Sequence, residues 1–198
     1  MVVVMEENQS YGQIIGNLGA PLINALAMQG ALFTDAHGVR HPSQPNYLAI
    51  FSGSTQGVSD DNAVPGTPLK TANLGSELIT HGRTFIGYCE DLPSMGSTAL
   101  WAHGVYARKH NPWSNWQSAN PQQNQLPSTT NQTFDNFPSN FEQLPTVAFI
   151  IPNMSNDEHG TGKTPIQMLI KSSDTWLKEH LGPYAEWAKS HDSLLVST

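Results

Sequence analysis

Three short polar clusters in this chain carry the residue types that do chemistry. Glu7 and Asn8 place a carboxylate next to an amide oxygen, two hard donors suited to Mg, Ca or Mn. Ser43 stands between prolines in His41-Pro42-Ser43-Gln44-Pro45-Asn46, just ahead of the apolar stretch Tyr47–Phe51. A hydroxyl on such a turn lies near the positive end of a helix, where anions collect and attack on phosphorus is favoured. Asp157-Glu158-His159 adds an imidazole that titrates near neutral pH. It is able to donate to a phosphate oxygen, protonate a leaving group or bind a metal. Each cluster has a plainer reading as well: a helix N-cap for Ser43, a solvated loop for Glu7-Asn8, a charged surface turn for Asp157–His159.

Weaker signals surround these. Asp60-Asp61-Asn62 reads first as an Asx-type turn, although the Asn62 amide would suit a phosphoryl oxygen. Tyr106–His110 is the one dense basic cluster, fit to attract an anion or simply to face water, and His110 and His41 share that ambiguity. Cys89 is the lone cysteine, which rules out an intrachain disulfide and reads as a packed small side chain.

The elements that must position these clusters follow from hydrophobic patterning. Val2–Met5 and Thr146–Ile151 are continuous apolar runs rich in β-branched residues, the mark of strands covered on both faces. Thr84–Tyr88 and Ser193–Ser197 read as further strands, and Ala31–Thr34 as a short one. Helices are expected from Pro21 to Gln29, over Tyr47–Phe51, from Leu74 to His81, and from a cap at Asp174 to about Ser190. Strands alternating with helices predict an α/β fold with a mainly parallel central sheet flanked by helices. The three polar clusters follow predicted strands, and ligands of such sheets bind beyond the strands' carboxyl ends. Residues 111–145, rich in Asn, Gln, Ser, Thr and Pro with scattered aromatics, are expected to be an inserted loop-rich lobe or lid over the sheet's edge.

Length and composition set the limits. The chain has 198 residues, long enough for one domain over 1–198. Its net charge of −7, from 9 basic and 16 acidic residues, leaves no basic stripe for nucleic acid. A small phosphorylated substrate needs only local positive charge and stays open. The apolar runs are strand-sized, so no transmembrane segment is expected. The start inside a strand, without a signal peptide, leads to the expectation of a longer natural chain.

Together the motifs resemble a known family. Met5–Tyr11, His41-Pro42-Ser43-Gln44-Pro45-Asn46-Tyr47-Leu48-Ala49, Ser52–Val58, Tyr106–Pro112, Ile151–His159 and Asp174–Leu177 are similar to the bacterial and fungal phosphoesterases. That family holds acid phosphatases and phosphatidylcholine-type phospholipases C within the alkaline phosphatase superfamily. The resemblance implies metal-dependent hydrolysis of phosphoric esters, first of all phosphomonoesters, with phosphodiester or phospholipid cleavage as the alternative. By position it implies Glu7, Asn8 and Ser43 as ligands of a divalent metal of unknown identity, and Ser43 as nucleophile. His159 matches a phosphate-contacting histidine, with Asp157 beside it and Asn62 as a further phosphate donor. In the family the strand matching Ser193–Ser197 leads into an Asp/Glu-rich motif with further metal carboxylates. Here the chain ends at Thr198, so weak metal affinity and low activity at this length are expected. The family habit implies a secreted or periplasmic protein. A rival from another class is a degenerate binding module that holds phosphate or sugar ligands on Trp113 and Trp116.

Overall fold

The computed structural model describes residues 1–198. All three valines of β1 (Val2–Val4) are buried, as a strand covered on both faces requires. Two short helices follow, α1 (Tyr11–Ile14) and α2 (Pro21–Gln29), the second opened by its proline. Helix α3 (Ser43–Ser52) ends at Gly53, whose φ of 69° suits the left-handed cap. Helix α4 (Leu74–Thr80) starts on Asn73, whose side chain accepts the Ser76 N–H.

Strand β2 (Phe85–Cys89) leads into small pieces: β3 (Trp101–Ala102), β4 (Tyr106–Ala107), β5 (Gln117–Ser118), β6 (Leu126–Pro127) and β7 (Asn131–Thr133). Strand β8 (Val147–Ile151), helices α5 (Ile166–His180) and α6 (Gly182–Ala188), and strand β9 (Leu195–Ser197) complete the chain.

Five strands form one sheet in the order β7-β2-β8-β1-β9, with every pair parallel. Alternation along the strands divides the core in two. Val3, Phe85 and Phe149 face α3 through Leu48 and Phe51. Val2, Val4, Ala148 and Ile150 face α5 and α6 through Trp176, Leu177, Leu181 and Tyr184. The expected α/β class with a mainly parallel sheet and flanking helices is thus the observed one. Because all five strands run the same way, their carboxyl ends share one edge, where Glu6 and Glu7 leave β1. There Glu6 N–H donates to the Thr198 carbonyl at 2.6 Å, beside the end of β9.

Three expectations need correction. Ala31–Thr34 forms no strand: it lies exposed between α2 and α3, with Phe33 80% accessible and no neighbour to pair with. The helix expected from Asp174 begins eight residues earlier, breaks at Leu181, and resumes as α6. Asp174 is therefore no cap. Its carboxylate is buried and accepts the Ile23 N–H at 2.9 Å, tying α2 to α5. Trp113 and Trp116 are fully buried in the α3-side core, so neither can stack on a ligand, and the binding module built on them loses its anchors. In the same 111–145 stretch, β7 is an edge strand of the main sheet. Its Asn131 accepts the Trp113 indole N–H at 2.9 Å.

Gly87 in β2 is fixed by that tryptophan. A Cβ there would lie 2.1 Å from the Trp113 ring, which packs against Phe51, Phe85 and Phe149 and is bonded to Asn131. Gly87→Ala is expected to lower stability by about 2 kcal/mol or more through overpacking, measured as a drop in denaturant midpoint. Gly12→Ala, where nothing lies within 4 Å, serves as the near-neutral control. No helix is long and apolar enough to cross a membrane.

Candidate active site

The carboxyl edge of the sheet gathers most of the polar clusters. Glu7, just past β1, is 9% exposed. One of its oxygens lies 3.2 Å from His110 Nε2, and the other 3.3 Å from His159 Nδ1. His110 follows β4 on a 3-10 turn, and its Nδ1 is 2.9 Å from Asp157 Oδ2. Its ring stacks on Tyr47, one turn along α3 from Ser43, with centroids 4.8 Å apart. His159 comes from the loop after β8, where its N–H donates to Asp157 Oδ1 at 2.8 Å.

That loop is strained. Glu158 has a φ of 72°, a region that costs a non-glycine residue on the order of 1 kcal/mol. Its conformation is tied at both sides, by the Asp157–His159 bond and by Gln9 Nε2 donating to the Glu158 carbonyl at 3.1 Å.

The electrostatics separate two kinds of carboxyl. Burial pushes the Glu7 carboxyl up, but the His110 and His159 rings, and the nearby Ser43 hydroxyl, hold it well below the usual carboxylate range. Burial pushes Glu158 up to about 8, helped by the charges of Asp157 and Asp174. Burial likewise raises Glu6, against the hydrogen bond it accepts from Ser173 Oγ at 2.6 Å. The His110 imidazole is pushed down by burial but lifted more by Asp157 and Glu7, so that its net shift is upward. At neutral pH Glu7 is therefore anionic and Glu158 favours the uncharged form, with Glu6 shifted in the same direction as Glu158.

The donor set fits a cation. One oxygen of Glu7 and one ring nitrogen each of His110 and His159 lie within 4.8 Å of one another. Although close to Glu7, His110 Nε2 and His159 Nδ1 are buried without an aligned hydrogen-bond partner. Asp157 sits on the far nitrogen of His110 and fixes that ring, as a carboxylate behind a metal-bound histidine does. Two imidazoles and a carboxylate suit a borderline transition metal better than Mg or Ca.

Ser43 opens α3 half-buried, with its hydroxyl close enough to Glu7 to lower that carboxyl. The next residue, Gln44, donates its N–H to Asp61 Oδ1 at 3.0 Å and its side-chain amide to the Asn62 carbonyl at 2.7 Å. The Asp60–Asn62 loop is thereby clamped to the start of the helix.

A model of the Phosphoesterase family matches residues 18–198, nearly the whole chain. The chain belongs to the Phosphoesterase family. A phosphatidylinositol-3-phosphatase of Mycobacterium tuberculosis is 46% identical over all of this chain and 62% of its own length. A probable acid phosphatase of Kluyveromyces lactis is 31% identical over 93% of this chain and 42% of its own length. An acid phosphatase of Aspergillus fumigatus is 36% identical over 70% of this chain and 32% of its own length. The chain thus spans less than two thirds of each of these phosphatases. No solved structure gives a significant match.

Among the phosphoesterase residues expected from sequence, Glu7, Ser43, Asp157 and His159 meet here. Asp157, expected to touch substrate, is fully buried and braces His110 and His159 instead. Asn8 is exposed with φ 64°, beside the buried cluster rather than within it. Asn62 is exposed, with its backbone on Gln44 and Asp60 and its amide directed to neither. His110 is the residue that sequence reasoning left open. Its signals were membership of the basic cluster Tyr106–His110 and of the family-like stretch Tyr106–Pro112, neither of which assigns it a role.

Proposed function

We propose that the chain carries the centre of a metal-dependent phosphoric ester hydrolase that acts first on phosphomonoesters, with Ser43 as nucleophile. The observation that carries this reading is the placement of the Ser43 hydroxyl, at a helix start, against the Glu7–His110–His159 donor set. Glu7, His110 and His159 would hold a divalent cation, which supplies charge neutralisation at phosphoryl oxygens and a more acidic adjacent hydroxyl.

The protein's own groups then divide the work. Ser43 Oγ attacks phosphorus, an Oγ–P bond forms, and the bond to the alcohol oxygen breaks. The hydroxyl proton passes to solvent, and the departing alkoxide takes up a proton. Water then attacks the phosphoserine, the Oγ–P bond breaks, and phosphate leaves. Glu7 is too weak a base to take the serine proton, since its carboxyl is held far below the usual range. Its role is that of a fixed anion. Asp157 holds His110 by its Nδ1 so that Nε2 faces the centre. The positive end of α3 favours the incoming phosphoryl group.

His159 has a second reading, as a direct phosphate contact, favoured by its exposure. Its side chain is 21% accessible whereas that of His110 is 1%. The test is hydrolysis of p-nitrophenyl phosphate and its diester analogue with Mn, Zn, Mg or Ca, and with chelator. Turnover of the monoester that chelator abolishes and a transition metal restores is expected, and turnover indifferent to chelator contradicts the reading. His159→Ala separates its two roles: loss of metal uptake marks a ligand, and retained metal with lost turnover marks a phosphate contact.

A further inference from the structure

Asn46 closes the Pro-Ser-Gln-Pro-Asn stretch that carries Ser43, and the reaction outlined above gives it no task. It lies three residues beyond Ser43 in α3, and so on the same face of the helix. Helical side chains lean toward the N-terminus, which brings the Asn46 amide over the turn where Ser43 begins. There it makes three hydrogen bonds to backbone groups. Its Oδ1 accepts the Arg40 N–H at 3.0 Å, and its Nδ2 donates to the Arg40 carbonyl at 2.7 Å and to the Pro42 carbonyl at 3.3 Å.

Two features of the surroundings give those bonds weight. Every residue from Ala31 to Pro42 is exposed, and the segment holds no helix or strand. Its hydrogen bonds to the rest of the chain all end on the Asn46 side chain, since the remaining one, between His37 and Asp35, is internal. The second feature is the helix start. A cap carbonyl such as that of Pro42 ordinarily accepts the main-chain N–H four residues on, the first rung of the helix. In α3 that rung is absent, and the Asn46 side chain takes its place.

Ser43 is thus the junction between an exposed segment and a packed helix. On the helix side, Gln44 is held by Asp61 and Asn62. On the segment side, Asn46 does the holding. Gly38 packs against the same amide, because a Cβ there would lie 3.3 Å from Asn46 Oδ1.

We propose that Asn46 is a positioning residue for the nucleophile: by pinning Arg40 and Pro42 it sets where the Ser43 hydroxyl stands, and it touches neither phosphate nor metal. The proposal rests on the hydrolase reading above, with Ser43 as the reacting group. A displacement of about 1 Å at a reacting centre is enough to cost on the order of 100-fold in rate. The three bonds lie at the surface, where water competes for both partners, so they add little to folding. The clamp therefore acts on position more than on stability.

Steady-state hydrolysis of p-nitrophenyl phosphate by the metal-loaded protein tests this, beside calorimetric binding of inorganic phosphate and thermal denaturation. Asn46→Ala is expected to lower kcat by about 100-fold. Phosphate affinity should stay within about twofold of wild type, and Tm should fall by no more than about 4 °C. Asn46→Asp keeps an acceptor for the Arg40 N–H but turns an anion toward two carbonyls, so its kcat should be no higher than that of Asn46→Ala. Gly38→Ala removes no bonding group and only crowds the amide, and a smaller drop in kcat, of about fivefold, is expected.

A kcat within about threefold of wild type in Asn46→Ala overturns the proposal. So does a loss of phosphate affinity as large as the loss in kcat, which would make Asn46 a substrate contact. Unfolding of Asn46→Ala at the assay temperature, with full turnover in Gly38→Ala, also overturns it and leaves Asn46 a residue of the fold. Wild type and Ser43→Ala keep the two inferences apart. Turnover absent from the wild type, or unchanged in Ser43→Ala, counts against the hydrolase reading and removes this one with it. Turnover that needs Ser43 and survives Asn46→Ala removes the positioning role alone.

Discussion

Ser43→Ala is expected to lower kcat/KM for a phosphomonoester by at least about 1,000-fold, because removing a covalent nucleophile forfeits the whole two-step route. The protein should remain folded. Ser43 is the first residue of α3, Pro42 precedes it as the cap, and no side-chain cap hydrogen bond is present at that end. The lost hydroxyl is half-buried and reaches the buried cluster only through Glu7. A stability change of about 1 kcal/mol is therefore expected. Metal uptake should survive in part, since Glu7, His110 and His159 remain. Loss of turnover with intact folding and measurable metal binding is the expected pattern. Loss of all three at once would mean that Ser43 shapes the site rather than reacts in it.

Glu7→Gln should produce a different pattern. The amide keeps the size of the side chain and removes the only firmly anionic group among the three donors. A cation held by two neutral imidazoles and an amide loses most of its electrostatic attraction. Affinity is expected to fall by more than about 100-fold, beyond the range typical of changes to groups behind the ligands. Turnover should fall with it and return only in part at high metal concentration. Thermal denaturation gives the direct reading: a metal that binds only the folded protein raises its Tm, and that rise should vanish in Glu7→Gln. A full metal-induced rise in the variant would remove Glu7 from the donor set.

The sheet was legible in sequence because its strands state their environment locally. Val2–Val4 and Val147–Ile151 are unbroken apolar runs, and the structure buries every residue of both. Glu7, Ser43 and His159 were legible for a related reason, since each lies close behind a strand or at a helix start, where the parallel sheet collects its functional loops. His110 was not. It follows a two-residue strand of a small hairpin, and its burial depends on Glu7, Asp157 and Tyr47, all remote in sequence. Beside Arg108 and Lys109 it looks like one more solvated charge.

Ala31–Thr34 failed for the opposite reason. Its residues have strand propensity, but a strand needs a partner, and none of the five sheet strands borders it. Trp113 and Trp116 sit in an Asn- and Ser-rich context that suggests a polar lobe. Their ring packing against Phe51 is a tertiary fact that local composition does not carry. Asp174 resembled a cap because aspartate favours helix starts, yet its buried carboxylate serves the Ile23 N–H of another helix.

The most direct test of the central claim is to mix the metal-loaded protein with a phosphomonoester, quench within the turnover time in denaturant at neutral pH, which spares both phosphoserine and phosphohistidine, and map the phosphorylated peptide by mass spectrometry. Phosphoserine at Ser43, absent from Ser43→Ala and decaying as phosphate appears, is the predicted result. Turnover with no phosphoprotein, or a phosphoryl group found on His110 or His159 instead, would contradict it.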